Sequence, residues 1–148
     1  MKVRPLALCL LPGMLIAASM VTCFVGIFLE LRFTDVIDPT SHIVLYAILF
    51  AVAFVLIGFG LCRGMTKYEV AAAASIYVGV QLILYLILMF TTLDDLLLGV
   101  IYYGGFAYNR CFIDALRAIS GNELVSFLGV FSTYLFVLFG KEQEEQAE

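Results

Sequence analysis

Four long runs without a charged residue constrain this chain more than any other feature. They cover residues 5–29, 43–62, 70–93 and 124–140. A helix needs about 20 apolar residues, with a range of about 17–25, to cross the hydrocarbon core of a bilayer. Only helices and closed barrels satisfy their backbone groups in lipid, and these runs lack the alternation of barrel strands. The runs therefore predict four transmembrane helices.

Composition supports the same fold class. The chain is 64% hydrophobic and 14% charged, whereas average soluble domains are about 45–50% apolar and about 25% charged. A water-soluble fold of this length has too little interior to hide so much apolar surface. We predict an all-α integral membrane protein, with residues 1–141 forming a four-transmembrane-helix bundle and residues 142–148 an acidic tail. No basic run suggests a nucleic-acid partner.

Helix-capping patterns stand beside three of the runs. Asp38-Pro39 precedes the second, Thr66 to Glu69 forms a capping box before the third, and Ser120 to Glu123 does so before the fourth. With the apolar runs, they predict spans at about residues 5–30, 39–62, 67–92 and 121–140. The first run follows Lys2 and Arg4, as in a signal peptide, but exceeds the usual apolar core of about 7–15 residues. We interpret it as a retained helix.

The basic residues indicate the orientation. Arg4 and Lys2 lie before the first span, Arg63 and Lys67 border the connection between the second and third, and Lys141 follows the fourth. With four spans these positions share one side, which the positive-inside rule makes cytoplasmic. We therefore expect both termini in the cytoplasm, and we place the protein in the plasma membrane.

Residues 94–120 do not fit a simple connector. Residues 96–109 are uncharged but short for a span, and they include Tyr102, Tyr103 and the pair Gly104-Gly105. Tyrosine favours the membrane interface, and a glycine pair interrupts a helix. We predict an outer interfacial or re-entrant helical hairpin. The alternative is a fifth, short span through residues 96–108, which would place the tail outside.

The second half of this segment has the spacing of an amphipathic helix. Arg110, Asp114 and Arg117 fall on one face at helical intervals, with apolar residues between them. With Asn109, this face has the chemistry to bind a lipid phosphate or a membrane partner, because arginine forks match phosphate oxygens. Tyr102 and Tyr103 are candidate contacts for the same ligand. The alternative is a solvated face without a ligand.

The spans contain few polar side chains. Gln81 lies midway along the third span, with Ser75 before it. They are candidates for an intramembrane polar contact, or they bond neighbouring helices, a common use of polar side chains in membranes. Small residues, which let helix backbones approach closely, recur at helical spacing. The candidate packing positions are Ala18, Thr22, Gly26, Ala71, Gly79 and Gly129.

No pattern predicts catalysis, a cofactor or a bound metal. GxSxG, HExxH and Walker-type motifs are absent, and the single histidine, His42, is next to no cluster of metal-ligand residues. Asp94-Asp95 is more simply explained by helix capping than by metal binding. The four cysteines are widely spaced.

Three functions remain open from the sequence. The first is a non-catalytic membrane subunit that associates with a membrane-protein partner or with itself. The second is a small transporter or channel component that works as an oligomer, with Ser19, Ser75 and Gln81 lining its pathway. The third is a protein that binds or modifies membrane lipid through residues 94–117.

Overall fold

The structure of the protein, a computed structural model, describes residues 4–33, 39–90 and 96–142, and these residues are helical apart from their connections. A short 3₁₀ turn at Cys62–Gly64 follows the second helix, and a 3₁₀ helix at Phe127–Phe139 continues the last one. The helices are α1 (Pro5–Phe33), α2 (Pro39–Gly60), α3 (Lys67–Phe90), α4 (Leu96–Phe106), α5 (Arg110–Ser120) and α6 (Glu123–Ser126). We call α6 and the 3₁₀ helix together the terminal helix.

Three of the helices described are long and apolar enough to cross a membrane. They are the segments Pro5–Leu29, His42–Gly64 and Lys67–Leu88, in α1, α2 and α3. Their outward faces expose large apolar side chains such as Phe24 and Phe59. Contiguous apolar surface of this kind is rare on soluble monomers. The prediction of an all-helical, membrane-type chain is confirmed at this level.

A reciprocal capping box begins α3, as the sequence predicts. The Glu69 backbone N–H donates to Thr66 Oγ1 at 3.2 Å, and the Thr66 N–H donates to Glu69 Oε2 at 3.0 Å. Arg4 Nε donates to the same carboxylate at 2.8 Å, and Arg4 Nη2 donates to the Gly64 carbonyl at 3.0 Å. The hydrogen bond to Glu69 raises the pKa of the Arg4 guanidinium. The Glu69 carboxylate thus caps α3 and also binds Arg4 at the start of α1.

The end of the terminal helix lies at the same end of the bundle. The Lys141 N–H donates to the Met65 carbonyl at 2.9 Å, and the Lys67 N–H donates to the Lys141 carbonyl at 3.0 Å. Lys67 Nζ also pairs with Glu142 at 2.7 Å. The start of α1, the connection from α2 to α3 and the end of the terminal helix therefore meet at one end.

The capping box predicted at residues 120–123 is wrong. Gly121 ends α5 in the left-handed conformation, with φ of 61°, and its N–H donates to the Arg117 carbonyl. Asn122 then caps α6 by accepting from the Leu124 N–H at 2.9 Å. Only glycine adopts the left-handed conformation without a steric penalty, so α5 ends at Gly121. Ser120, the residue before it, therefore belongs to the last turn of α5 and does not cap the next helix. The predicted cap at Asp38 lies outside the described residues, as do Asp94 and Asp95.

The 3₁₀ helix turns one row of side chains toward the bundle. Val130, Thr133 and Phe136 are each fully buried. They are spaced by three residues, and residues three apart are eclipsed in a helix with three residues per turn. The terminal helix packs mainly on α3 and α5.

Aromatic rings fill the space between α2, α5 and the terminal helix. Phe50 lies 4.9 Å from Phe112, edge to face, and 5.9 Å from Tyr108 between ring centroids. Phe54 contacts Phe136 at 5.0 Å. Such offset and edge-to-face pairs contribute about 0.5–1.5 kcal/mol beyond burial. They hold α5 against α2 and the terminal helix.

The three glycines predicted to lie at helix contacts differ in how closely other atoms approach them. A Cβ on Gly129 would lie 2.7 Å from the Ile113 backbone nitrogen, and one on Gly26 would meet the Tyr46 hydroxyl. Gly79 is open, with no neighbouring atom within 4 Å of the position that a Cβ would take. Among the described residues, the close approach expected at Gly79 is therefore not found.

We expect Gly129→Ala to destabilise the protein by about 1–3 kcal/mol, because the added methyl group must displace the α5 backbone. Gly79→Ala is the matched control: it is the same substitution within a helix but meets no steric conflict, so it should be neutral or stabilising by up to about 1 kcal/mol. Denaturant unfolding in mild detergent measures both. Equal effects of the two changes would contradict the packing described.

Candidate functional site

The centre of the molecule is a break between α4 and α5 at residues 107–109. The sequence predicts an interruption at Gly104-Gly105, but both glycines lie within α4, so that prediction is wrong by a few residues. The helix ends instead at Phe106, and Ala107, Tyr108 and Asn109 are all buried. A glycine pair allows a helix to end but does not require it to end. The position of the break is set by the partners that its backbone groups find.

Side chains of α1 and α3 provide those partners. Tyr77 Oη donates to the Gly105 carbonyl at 3.0 Å, and Gln81 Nε2 donates to the Phe106 carbonyl at 2.7 Å. The Tyr108 N–H donates to Ser19 Oγ at 3.1 Å. An unpaired buried backbone group costs free energy comparable to a lost hydrogen bond. These three side chains therefore make a non-helical turn tolerable in an apolar interior.

Asn109 connects the break to the terminal helix. It is fully buried, and its Oδ1 accepts from Gln81 Nε2 at 3.1 Å. Its Nδ2 is 3.3 Å from the Gly129 carbonyl and 3.2 Å from Ser132 Oγ. The neighbouring Tyr108 hydroxyl is hydrogen-bonded to Thr133. The Asn109 amide is thus hydrogen-bonded within the fold, and its contribution to a phosphate site stays a prediction.

Arg110 begins α5 immediately after the break. Its Nε donates to Asp114 Oδ2 at 3.1 Å, and its Nη1 donates to Tyr46 Oη at 3.3 Å. The guanidinium carbon lies 4.8 Å from the Tyr46 ring centroid and 5.5 Å from that of Tyr103. A half-buried cation is therefore held between two aromatic faces, which attract it electrostatically.

The carboxylate beside Arg110 is shared. Arg117 Nη1 lies 3.8 Å from Asp114 Oδ1, whereas Arg110 bonds the other oxygen, Oδ2. Asp114 thus compensates the Arg110 charge only in part. The Arg110 Nη2 group has no hydrogen-bond partner among the described residues.

A large cavity extends from Arg110 between α1 and α4. Its volume is about 690 Å³, within the range of about 300–1,000 Å³ that is usual for small-molecule sites. Tyr46 of α2 closes one side, and Gly99 and Gly104 leave space on the α4 side. The rim consists of exposed apolar side chains on α1 and α4, namely Met20, Phe24, Ile27 and Val100. We call this space the lateral cavity, because it opens on the side of the helix bundle.

A second, small chamber adjoins the lateral cavity, with a volume of about 40 Å³. Tyr103, Ala107 and Arg110 line both spaces. The wall of the chamber also contains the polar side chains of Asp114, Arg117 and Tyr102, and its apolar part is formed by Tyr85, Phe106 and Ile113. Tyr102 is 6% exposed, and its hydroxyl interacts with the Gln81 side chain without a well-aligned hydrogen bond. We call this space the polar chamber.

The structure brings five candidate residues from the sequence together at these cavities. They are Tyr102, Tyr103, Arg110, Asp114 and Arg117. Gln81 lies nearby and bonds the break, whereas Ser75 lies elsewhere, bonded to the Ala71 carbonyl and to Tyr134. Of the small residues in α1, Thr22 is buried and donates to the Ala18 carbonyl at 2.9 Å.

Three tyrosines of the site are not predicted by the sequence patterns: Tyr46, Tyr77 and Tyr108. The interfacial preference of tyrosine places Tyr108 with Tyr102 and Tyr103 at the membrane surface, yet it is fully buried. Tyr46 and Tyr77 lie within apolar runs, away from the predicted ends of the spans. A buried tyrosine usually needs a hydrogen-bond partner. A tyrosine within an apolar run is therefore the sequence signal that could have identified Tyr46 and Tyr77 as site residues.

Comparison with known proteins adds no family assignment. No protein-family model matches this chain, and no curated protein or solved structure is significantly similar to it. Within the described residues, no group of three or more His, Cys, Asp or Glu side chains is placed to hold a metal ion. The function is therefore inferred from the geometry of the break and the two cavities.

We expect Asn109→Leu to destabilise the protein by about 1–3 kcal/mol, because Gln81 Nε2 loses one of its two buried acceptors. Ser75→Ala is the control: it also removes an interhelical hydrogen bond, but an exposed one, and it should cost within about 0.5 kcal/mol. Denaturant unfolding in detergent compares them. A smaller loss for Asn109→Leu than for Ser75→Ala would contradict the role assigned to the break.

Proposed function

We propose that this protein is a four-span integral membrane protein that binds an amphiphilic, lipid-like ligand in the lateral cavity. The observation that carries the proposal is the cavity itself. It is apolar, it opens on the side of the bundle through exposed hydrophobic residues, and it has the Arg110 cation at its wall. Lipid tails have direct access to such an opening, and the single cation favours a ligand with a polar or anionic head.

The length of the terminal helix supports a fourth span. It has fewer residues than a usual α-helical span, but a 3₁₀ helix rises about 2.0 Å per residue compared with about 1.5 Å in an α-helix. With α6 at Glu123–Ser126 and the 3₁₀ helix at Phe127–Phe139, its length is about 32 Å. The hydrocarbon core is about 30 Å thick.

The meeting of three chain segments at one end of the bundle supports an even number of passes. Arg4, the loop before α3 and Lys141 are joined there by hydrogen bonds. Arg63 and Lys67 lie at the same end, so the positive-inside rule makes it cytoplasmic. The lateral cavity, which is formed by the second half of α1 and the first half of α2, then lies in the outer leaflet.

In this topology α4 and α5 form a re-entrant hairpin. Each has 11 residues and is therefore about 16 Å long, about half the thickness of the hydrocarbon core. Tyr77 and Ser19, which bond the break, lie near the middle of their own spans. Non-helical backbone at that depth is tolerated where it is enclosed by protein or borders a cavity. Broken helices of this kind often mark binding sites in membrane proteins.

Lipid binding is favoured over association with a partner subunit for a structural reason. Close contacts of small residues are made within the chain, among them those of Gly26 with Tyr46, Gly58 with Phe139 and Gly129 with α5. These residues therefore do not need a partner helix to explain them.

We expect Ser120→Cys to react with a membrane-impermeant thiol reagent in intact cells, and Glu142→Cys to react only after permeabilisation. The background is a variant in which Cys9, Cys23, Cys62 and Cys111 are replaced by alanine. Ser120 and Glu142 are both exposed, so burial does not bias the comparison. Labelling of Glu142→Cys in intact cells would contradict the topology and favour an odd number of spans.

We expect Gly104→Leu to reduce the lipid that co-purifies with the protein at least about tenfold, because the side chain occupies the lateral cavity without a backbone conflict. A loss of about 1.4 kcal/mol in binding gives this factor. Gly79→Leu is the matched control, since Gly79 is also open but lies outside the cavity. Native mass spectrometry measures lipid occupancy, and the melting temperature checks folding. Equal occupancy in the two folded variants would refute the proposal.

A further inference from the structure

We infer that the ligand is a single-chain amphiphile with a carboxylate head, of the fatty-acid class, taken from the outer leaflet. This inference rests on the proposed function and specifies its ligand. The hydrocarbon tail occupies the lateral cavity, and the carboxylate lies at Arg110, with its oxygens directed into the polar chamber.

The adjacency of the two cavities gives the ligand its shape. Tyr103, Ala107 and Arg110 line both, so Arg110 stands where apolar space meets polar space. A bound amphiphile that fills both spaces places the junction between its tail and its head at this residue. The cavities thus match a molecule with one long apolar part and one compact polar end.

The charge at the junction selects an anion. Arg110 donates Nε to Asp114 and Nη1 to Tyr46, which leaves Nη2 for a ligand. Asp114 is shared with Arg117 and compensates Arg110 only in part. Hydrogen bonds between a guanidinium and a carboxylate are charge-assisted and about twice as strong as neutral ones.

The hydroxyl of Tyr102 is a second donor for the same head group. It is buried, has only a poorly aligned interaction with the Gln81 side chain, and belongs to a residue that lines the polar chamber. A buried hydroxyl without a partner carries a desolvation penalty. A carboxylate oxygen in the chamber would remove this penalty by accepting from Tyr102.

The size of the polar chamber distinguishes a carboxylate from a phospholipid head. At about 10–15 Å³ for each water-sized group, a chamber of 40 Å³ accommodates about three such groups. A carboxylate has three non-hydrogen atoms. A phosphate has five and, in a phospholipid, is joined to glycerol as well. The chamber therefore fits a carboxylate better than the head of a diacyl phospholipid.

The test compares four probes with identical saturated chains on the purified protein in detergent: hexadecanoic acid, hexadecanol, hexadecyl phosphate and dipalmitoyl phosphatidylglycerol. We expect the acid to bind about tenfold or more tightly than the alcohol, because only the acid forms charge-assisted hydrogen bonds. The acid should also bind more tightly than both phosphate-containing probes. This comparison needs no variant and is unaffected by any folding defect.

Variants then locate the head group. Arg110→Gln should reduce the preference for acid over alcohol to less than about threefold, and Tyr102→Phe should weaken acid binding several-fold with little effect on the alcohol. Arg32→Gln is the matched control: Arg32 is an exposed arginine at the end of α1, outside both cavities. It should leave the preference unchanged.

The outcomes separate this inference from the proposed function. Equal affinities for acid and alcohol, or tighter binding of either phosphate-containing probe, would overturn the carboxylate assignment while leaving a lipid-binding cavity in place. Failure of all four probes to bind, together with unchanged co-purified lipid in Gly104→Leu, would overturn both. An acid preference that persists in Arg110→Gln would overturn the assignment of the head group to Arg110.

Discussion

The structure depends on one requirement: the backbone groups of a helix break inside an apolar bundle must find hydrogen-bond partners. Neither water nor a continuing helix supplies them at this depth. Ser19, Tyr77 and Gln81 supply them from α1 and α3. Because these side chains come from two different helices, the break fixes the positions of α1 and α3 relative to α4 and α5. Asn109 adds the terminal helix to the same network.

The break also determines where charge enters the bundle. Since α5 begins directly after the break, its first residue lies beside the buried turn. That residue is Arg110, and a guanidinium in an apolar setting needs compensation. Asp114 provides part of it one turn later, and the rings of Tyr46 and Tyr103 provide more. The two cavities meet at this residue, so the break between α4 and α5 also positions the cation that both cavities share.

Much of the architecture followed from the sequence because its signals are local. The apolar runs located α1, α2 and α3, and the capping box at Thr66 and Glu69 marked the start of α3 within one residue. The helical spacing of Arg110, Asp114 and Arg117 gave the polar face of α5 and its ion pairs. The predictions at Gly104-Gly105 and at Ser120 failed because glycine permits a break and serine permits a cap, but neither residue requires one.

The sequence by itself determined a helical chain for an apolar solvent, since hydrophobic length and backbone self-satisfaction are properties of single segments. It also determined which charged residues share a face of α5. Only the tertiary structure decided that Tyr108 and Asn109 are interior rather than interfacial, because their hydrogen-bond partners lie 20 or more residues away in the chain. It alone decided that Tyr46, Tyr103 and Arg110 enclose a cavity, since a cavity is the space that packed helices leave between them and no segment encodes it locally.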